Sequence, residues 1–525
     1  MTEKCLITLI KESSTPGELQ ILTIEEESLN QVPQFCFELS INDVPIFLKD
    51  IPNFMKIYVK SVILQVMDFE HSDFPTNVHF RLALAKELKK HKIPFLFNNA
   101  EGIVITKLLV AANIECCSGE MVLVVLVAED YVVVREIYRI QSNYYCPNVE
   151  QKRIFNCPKG YSLEKAKLEI LKNSNPKKII LAALYPYSKS IMKDMRNTVL
   201  KSKKLIVNES VSCFDEHRAL VEMAKRLKDK SWNKFYVIPR INASFIVDNA
   251  KNIGDYAELD WDSTKDLPSV TTSISPRSHH KYYIASSDKN HQDYEILRKY
   301  SLPDGQYHKI KLTLTVDSYF FPSLTQEAYI EPEIEQLPKI LTEKMDSKIP
   351  VIGFFDNSSI ICFWNEKEKR YQFSEKWNGL YGEDLYISFD KEKPRYRNKA
   401  AKALKKNPDY VIYHLLRILS SPPSNLHINT NWSFKIKNDL ENPILIEYKT
   451  FNGEFQSNTP EYLMALLLKE HIKAIKEEIG EKPAEIGFVF FDKDNKFLCK
   501  DYSLLKMKIK ESCDLLKIGS TVVQI

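Results

Sequence analysis

Glycine is scarce: the chain has 13 in 525 residues. Loops that cradle phosphate rely on glycine, because a residue without a Cβ turns freely and lets an anion approach the backbone N–H groups. The shortage therefore predicts few such nests. Ten cysteines are scattered, with Cys116 and Cys117 adjacent and no C-x-x-C pair. That fits reduced core thiols and argues against a disulfide framework or a structural zinc site. Neither sign of charge dominates, since 73 basic against 69 acidic residues leave a formal +4, too weak a field to draw in nucleic acid. No apolar run reaches membrane-spanning length, and MTEKCLITLIKESS mixes acids and polar groups too closely for a signal peptide. The expectation is a cytoplasmic or nuclear protein with no membrane partner. G-x-S-x-G and H-E-x-x-H are both absent, so the common hydrolase signatures have no foothold.

What is present is the composition of a folded protein: 44% hydrophobic, 11% aromatic and 27% charged residues, enough apolar matter for packed cores throughout. The length exceeds what one core holds, so several domains are expected. Strand-like runs at Cys5 to Ile10, Glu18 to Ile24 and Phe35 to Ile41 come first. After them, helical and β-branched segments alternate, with helices at Val78 to Lys90 and Gly102 to Ala112 and strands at Ser61 to Met67 and Pro94 to Phe97. The order is β-β-β-α-β-α-β-α. It begins again with strands Met121 to Leu126 and Tyr131 to Ile140 and ends with helix Glu216 to Leu227. From about Phe235 to Ala328 the helical signal disappears and alternating strands remain, which predicts a β-domain of sandwich type. Glu, Lys and Pro dominate 331–349, the composition of a linker with a short helix. A third α/β unit follows, with strands Val351 to Phe355 and Ile360 to Trp364, helix Pro460 to Ile479, strand Ile486 to Phe491 and helix Tyr502 to Leu516.

Several polar groups invite sharper readings. Lys393, Arg395, Arg397, Lys399, Lys402, Lys405 and Lys406 form a basic run, but no aromatic platform accompanies it, and a solvated helix face explains it as well as a nucleic-acid patch or nuclear address does. His279-His280 has no acid or cysteine at ligand spacing, so no metal is expected there. Asp215 reads as a helix cap rather than as part of an acid–base pair with His217.

The tail carries Gly353-Phe354-Phe355-Asp356-Asn357-Ser358-Ser359, then Leu385-Tyr386-Ile387-Ser388-Phe389, Lys399-Ala400-Ala401-Lys402 with Asn407-Pro408, Trp432 to Ile436, and Pro460 to Met464. In that order these resemble the opening of the seventy-kilodalton heat-shock chaperone family, whose G-I-D-L-G-T-T turn wraps the ATP phosphates. Leu267-Pro268-Ser269-Val270-Thr271-Thr272 and Leu302-Pro303-Asp304-Gly305 are similar to the entry and exit of that family's peptide-binding β-domain, and Asp215-Glu216 to Ala219 echoes its ATPase. The resemblance implies an actin-like (ribonuclease-H-like) two-lobed fold. Lobe I would occupy 1–114 in reduced form and lobe II 115–234 without the family's insertion. A β-sandwich-like substrate domain would follow at 235–330, a linker at 331–349, and a second, truncated lobe I at 350–525. It also implies Mg-ATP as cofactor, with Gly353, Asn357, Ser358, Ser359 and Lys402 as candidate nucleotide contacts. Val270, Ile274, Tyr283 and Ile284 become candidate peptide contacts, although the same apolar groups would equally form the domain's own core.

The departures from the family argue against ATP chemistry. The family's first acid falls on Phe355 and its turn glycine on Asn357. The second phosphate motif falls on Leu126 to Val133 and the adenosine motif on Ala182 to Ser188, neither retaining a glycine. Three lost charge-assisted contacts at roughly 1.5–3 kcal/mol each remove about 5–9 kcal/mol, whereas micromolar binding amounts to only about 8 kcal/mol. The expected protein is a degenerate chaperone relative that binds proteins, client segments or a fixed partner, without hydrolysing ATP. The alternatives are an ATP-dependent chaperone whose cleft is completed by the C-terminal lobe, and a purely structural scaffold.

Overall fold

The computed structural model describes residues 5–55, 59–141, 144–148, 151–158, 160–184, 189–208, 213–241, 243–249, 257–262, 265, 267–278, 281–288, 294–302, 306–426, 428–429, 431–492 and 501–525. Of these, 52, 55, 189–190, 213–215 and 288 are described by backbone alone.

Strand Leu6–Glu12 is buried on both faces through Ile10, as a nearly continuous apolar run in the middle of a mixed sheet should be. It pairs antiparallel with Leu19–Glu25, which pairs antiparallel with Phe37–Leu39. On its other side Val59–Gln65 and then Phe95–Phe97 run parallel. The same arrangement recurs around Met121–Val127, with Tyr131–Arg139 and the short strands Tyr145–Pro147 and Arg153–Asn156 antiparallel on one side, and Lys178–Ala183 and Leu205–Asn208 parallel on the other. It recurs again around Val351–Phe355, flanked by Ser358–Asn365 and Arg370–Phe373, and by Glu485–Phe490 and Gly519–Val522. Leaving aside Arg153–Asn156 and Glu383–Asp384, which pair off the main path, three units thus share one strand order, third-second-first-fourth-fifth.

The first two units exchange helices. Asn99 caps Ala100–Ala112 by accepting from the Gly102 N–H, and Ile105, Leu108 and Leu109 of that helix lie in the second unit's core with Val122, Val124 and Ile180. In return, helix Cys213–Lys228 places Ala219, Leu220, Met223 and Ala224 against Ile7, Leu9 and Ile63 of the first sheet. Lys107 and Glu216 bridge the two helices at 3.5 Å.

Residues 243–329 form two antiparallel sheets, one of Ala257–Trp261, Ala243–Asp248, Lys281–Asp288 and Tyr294–Ser301, the other of Ser269–Pro276, Lys309–Val316 and Pro322–Tyr329. Phe245, Val247, Trp261, Tyr282 and Ile284 of the one meet Ile310, Leu312 and Leu314 of the other, and this core is continuous with Leu64, Phe80, Phe95 and Phe97 of the first unit. The coarse class is therefore α/β units with an all-β domain, and the β-domain is fused to the first unit by a common core.

Residues 331–349 include helices Pro332–Glu335 and Leu337–Lys344. Pro332 sits at the start of its helix, where the missing N–H is tolerated. Ile334, Leu337 and Leu341 recur at helical spacing and are buried against Val351, Phe355 and Ile360 of the third sheet. Between that sheet's antiparallel and parallel halves lie two small three-stranded sheets and the long helix Pro460–Ile479, which starts on a Thr459 cap and stops at Gly480 (φ 87°). The eight described cysteines are free, and no described helix is long and apolar enough to cross a membrane.

Candidate functional site

Strands Val351–Phe355 and Ser358–Asn365 join through the two-residue turn Asp356-Asn357, with Phe355 opposite Ser358. Asp356 takes the left-handed conformation (φ 46°), which a short polar side chain tolerates better than most. The turn is sealed: Asp356, Asn357, Ser358 and Ser359 are all buried. Its backbone is already engaged, as the Asp356 N–H donates to Asp492 Oδ2 at 2.6 Å and the Asn357 carbonyl accepts from the Leu385 N–H at 2.8 Å. The side chain of Asn357 accepts from the His414 N–H at 2.7 Å.

The lid comes from the β-domain. Arg277, just beyond strand Ser269–Pro276, directs its guanidinium into the turn. Nε donates to Ser358 Oγ and to Asp384 Oδ1, both at 2.9 Å, and Nη2 to the same Asp384 oxygen at 2.7 Å. Nη1 donates to the carbonyls of Tyr307 (2.9 Å) and Tyr381 (2.7 Å), and the guanidinium carbon lies 5.3 Å from the Phe355 ring centre. A carboxylate, a hydroxyl, two carbonyls and an aromatic face thus surround one planar cation, which is the chemistry that suits arginine. Gly382 permits the close approach, because a Cβ there would collide with the Ser359 carbonyl. Next to it, Ser278 donates its N–H to Asp356 Oδ2 (2.7 Å) and its hydroxyl to Oδ1 (2.8 Å). Burial pushes the Asp356 carboxyl up to about 7, with the Ser278 hydroxyl opposing and the neighbouring Asp492 reinforcing. Lys309 bridges Asp492 (3.3 Å) and Glu331 (2.6 Å).

Ser359 belongs to a second, fully interior group. Its Oγ lies 2.8 Å from His471 Nε2, His471 Nδ1 lies 2.8 Å from the Leu467 carbonyl, and Trp377 Nε1 donates to the Ser359 carbonyl and hydroxyl at 3.0 Å each. Burial drives the His471 pKa down to about 4, so the ring is neutral, with Nδ1–H donating and Nε2 accepting from the serine. Serine next to imidazole is a nucleophile–base arrangement, but both residues have no exposed surface, and a substrate has no access to them.

The other candidates are dispersed. Gly353 is a strand residue whose missing Cβ makes room for Phe491 and Ile360, away from any anion path. Lys402 is exposed on helix Arg397–Leu404. Val270 and Ile274 are 63% and 48% exposed on the outer face of strand Ser269–Pro276. Tyr283 and Ile284 stand on the other sheet, with Ile284 inside the core, so the four do not form one surface. In the second unit, Leu126 to Val133 spans a tight turn closed by the Ala128 N–H on the Tyr131 carbonyl. Tyr185 to Ser188, His279-His280 and Pro303 to Gly305 lie outside the described residues, as does the side chain of Asp215. Among the described residues no group of histidine, cysteine and acidic side chains is placed to hold a metal ion.

The hydroxyls of the turn stand out in the sequence, whereas Arg277, Asp384 and Asp492 do not. A lone arginine between two strands carries no periodic signal, and its partners stand 30 to 107 positions away. No protein-family model matches this chain, and no curated protein matches it.

Proposed function

We propose that this chain is a degenerate, non-catalytic relative of the seventy-kilodalton heat-shock chaperones, built from actin-like units and working by binding protein. The actin-like assignment is supported by the strand order that recurs in three units and by the helices that the first two exchange. The loss of ATP chemistry is carried by one observation: the turn that would wrap phosphates is filled by the Arg277 guanidinium and edged by Asp356, Asp384 and Asp492. The Asp384 and Asp492 carboxylates repel a triphosphate, and the Asp356 N–H that could serve as a phosphate donor is held by Asp492. Polar contacts reach this turn from the β-domain, through Arg277 and Ser278.

Titration calorimetry of the full chain with Mg-ATP tests the proposal. The expected result is no binding tighter than about 1 mM, the level left when several kcal/mol of contacts are removed. Affinity in the 10 μM range that is abolished by Lys402→Ala would refute it and favour the ATP-dependent chaperone.

A scaffold that binds no peptide is favoured by a different observation, the burial of Ile284 in a core common to the β-domain and the first unit. Fluorescence titration with an extended apolar peptide separates the two. Saturable binding that weakens in Val270→Asp supports peptide capture, and no binding at high micromolar peptide supports the scaffold.

A further inference from the structure

Asp356 and His308 sit on opposite sides of the junction between the β-domain and the tail unit, and each is completed by the other side. Asp356, from the tail, accepts two bonds from Ser278 of the β-domain. His308, from the β-domain, has Nε2 2.8 Å from the Leu380 carbonyl of the tail, while its Nδ1 accepts from the Glu331 N–H at 3.0 Å. That geometry fixes a neutral ring: Nε2 must carry the proton and Nδ1 must not. A second proton would set an N–H against the N–H of Glu331. The ring is wholly buried, 5.1 Å from the Phe355 ring centre and 6.3 Å from that of Tyr381. Asp356 presents the reverse problem, a carboxylate enclosed beside Asp492.

We infer that the β-domain and the tail are held by a clamp whose grip depends on His308 staying unprotonated between its two backbone partners, with Asp356 opposing it across the same junction. The inference does not depend on the chaperone likeness. The charged groups facing the pair are Arg277, Ser278's neighbour on the β-domain turn; Lys309, between Asp492 and Glu331; and Asp384, which holds Arg277. Glu383, close to Arg397 at 3.9 Å, lies beside them, and the hydroxyls of Tyr282 and Tyr386 also feel the Asp356 charge. Lys309 stays cationic throughout, because Asp492 and Glu331 hold its pKa above the ordinary lysine value although burial opposes its charge.

The signs follow from linkage. Asp356 titrates near 3.8 when exposed and at about 7 when clamped. Between these values the clamped form holds the extra proton, and its grip weakens about tenfold per pH unit as pH rises. For His308, burial lowers the clamped value below the usual 6.5, with the Leu380 carbonyl opposing and the Arg277 charge adding to the fall. Between that lowered value and 6.5 the separated form holds the extra proton, so the grip strengthens by about the same factor as pH rises. The two dependences cancel over the acid range they have in common. Only Asp356 remains between 6.5 and 7, where the loss is about threefold.

The test uses the full chain with donor and acceptor dyes at the exposed positions Thr272 and Lys369. The equilibrium constant for separating the two domains is obtained from urea titrations between pH 4.5 and 8, with far-UV circular dichroism to confirm that each unit stays folded. The native chain should be nearly flat over the acid range the two groups share, just below pH 6.5. His308→Gln, whose amide reproduces the neutral ring's donor and acceptor, should weaken steadily as pH rises to 7. Asp356→Asn should strengthen as pH rises to 6.5. Should Asp356→Asn fail to fold, Ser278→Ala serves instead: it removes a donor that favours the ionised carboxylate, so the loss of grip should continue above pH 7. A native chain that changes tenfold per unit just below pH 6.5, or an Asp356→Asn variant that does not strengthen toward pH 6.5, would overturn the inference.

Discussion

The front pair of units and the tail unit have the same strand order and are closed in different ways. In the front, the two sheets face each other through exchanged helices, and the Lys107–Glu216 pair ties those helices together. In the tail, the turn at the head of the central strand meets the β-domain, and one arginine fills it. In the front, the turn after the second unit's central strand is Ala128-Glu129-Asp130. The tail keeps Ser358 and Ser359, whose hydroxyls already bond to Asp384 and His471. The comparison teaches that a unit's strand order decides only where a turn is presented. What the turn can bind depends on what is lodged against it.

The largest effect should come from Arg81, which fuses the first unit to the β-domain. Its guanidinium is fully buried, donating to Asn77 Oδ1 at 2.7 Å and to the Tyr319 carbonyl at 3.1 Å, with the rings of Phe97 and Phe321 at 5.7 and 5.4 Å. Burial lowers its pKa to about 10, with Asp317 and Asp68 opposing. Arg81→Ala leaves the Asn77 side-chain oxygen and the Tyr319 carbonyl without their donor inside an aromatic core and should cost about 3–5 kcal/mol. Hydrogen exchange should show strands Phe95–Phe97 and Lys309–Val316 losing protection together while Val351–Phe355 keeps its own. A β-domain that stays protected when the first unit opens would break the idea of a common core.

Acid should act on the tail with the next largest effect. The His471 pKa is about 4 in the folded unit against 6.5 when exposed. A depressed imidazole stabilises the fold fully above 6.5, and the contribution is lost as pH falls through 4. The loss amounts to about 3 kcal/mol at pH 4. His471→Gln removes this dependence, so the difference in tail stability between native and variant, measured by urea unfolding from pH 7 to 4, should shrink steadily with acid. A constant difference would show that the ring takes up no proton on unfolding.

Much of this architecture is legible in the sequence, because the central strands of each unit are buried on both faces and so appear as nearly unbroken apolar runs, as at Met121–Val127. The helices of 332–344 are harder to read. Pro, Glu and Lys dominate their composition, and only Ile334, Leu337 and Leu341 carry the apolar stripe. Parity hides Ile284, because Tyr282, Tyr283 and Ile284 are all apolar, and period-two alternation cannot tell which of them face inward. The site is the least legible part. Ser358 and Ser359 stand out as hydroxyls in a turn, yet their chemistry is set by Arg277 and His471, contacts between distant single residues that no local pattern announces.

The smallest change that still sharpens the comparison is Arg277→Lys. If the tail's turn needs only a positive charge, lysine should serve nearly as well, since it keeps the attraction to Asp384. If it needs a planar fork, lysine must fail in part, because three rotatable hydrogens on one nitrogen cannot reach the Asp384 carboxylate, the Ser358 hydroxyl and the two carbonyls of Tyr307 and Tyr381 together. At least one buried acceptor then goes unpaired, at a cost of about 1–2 kcal/mol. The separation of the β-domain from the tail should move to lower urea by that amount, and the unfolding of the front units should not move at all. Raising the salt concentration distinguishes the two cases further: a contact held by charge alone weakens with ionic strength, whereas the partly buried fork of the native chain should respond little, its side chain being only 12% exposed.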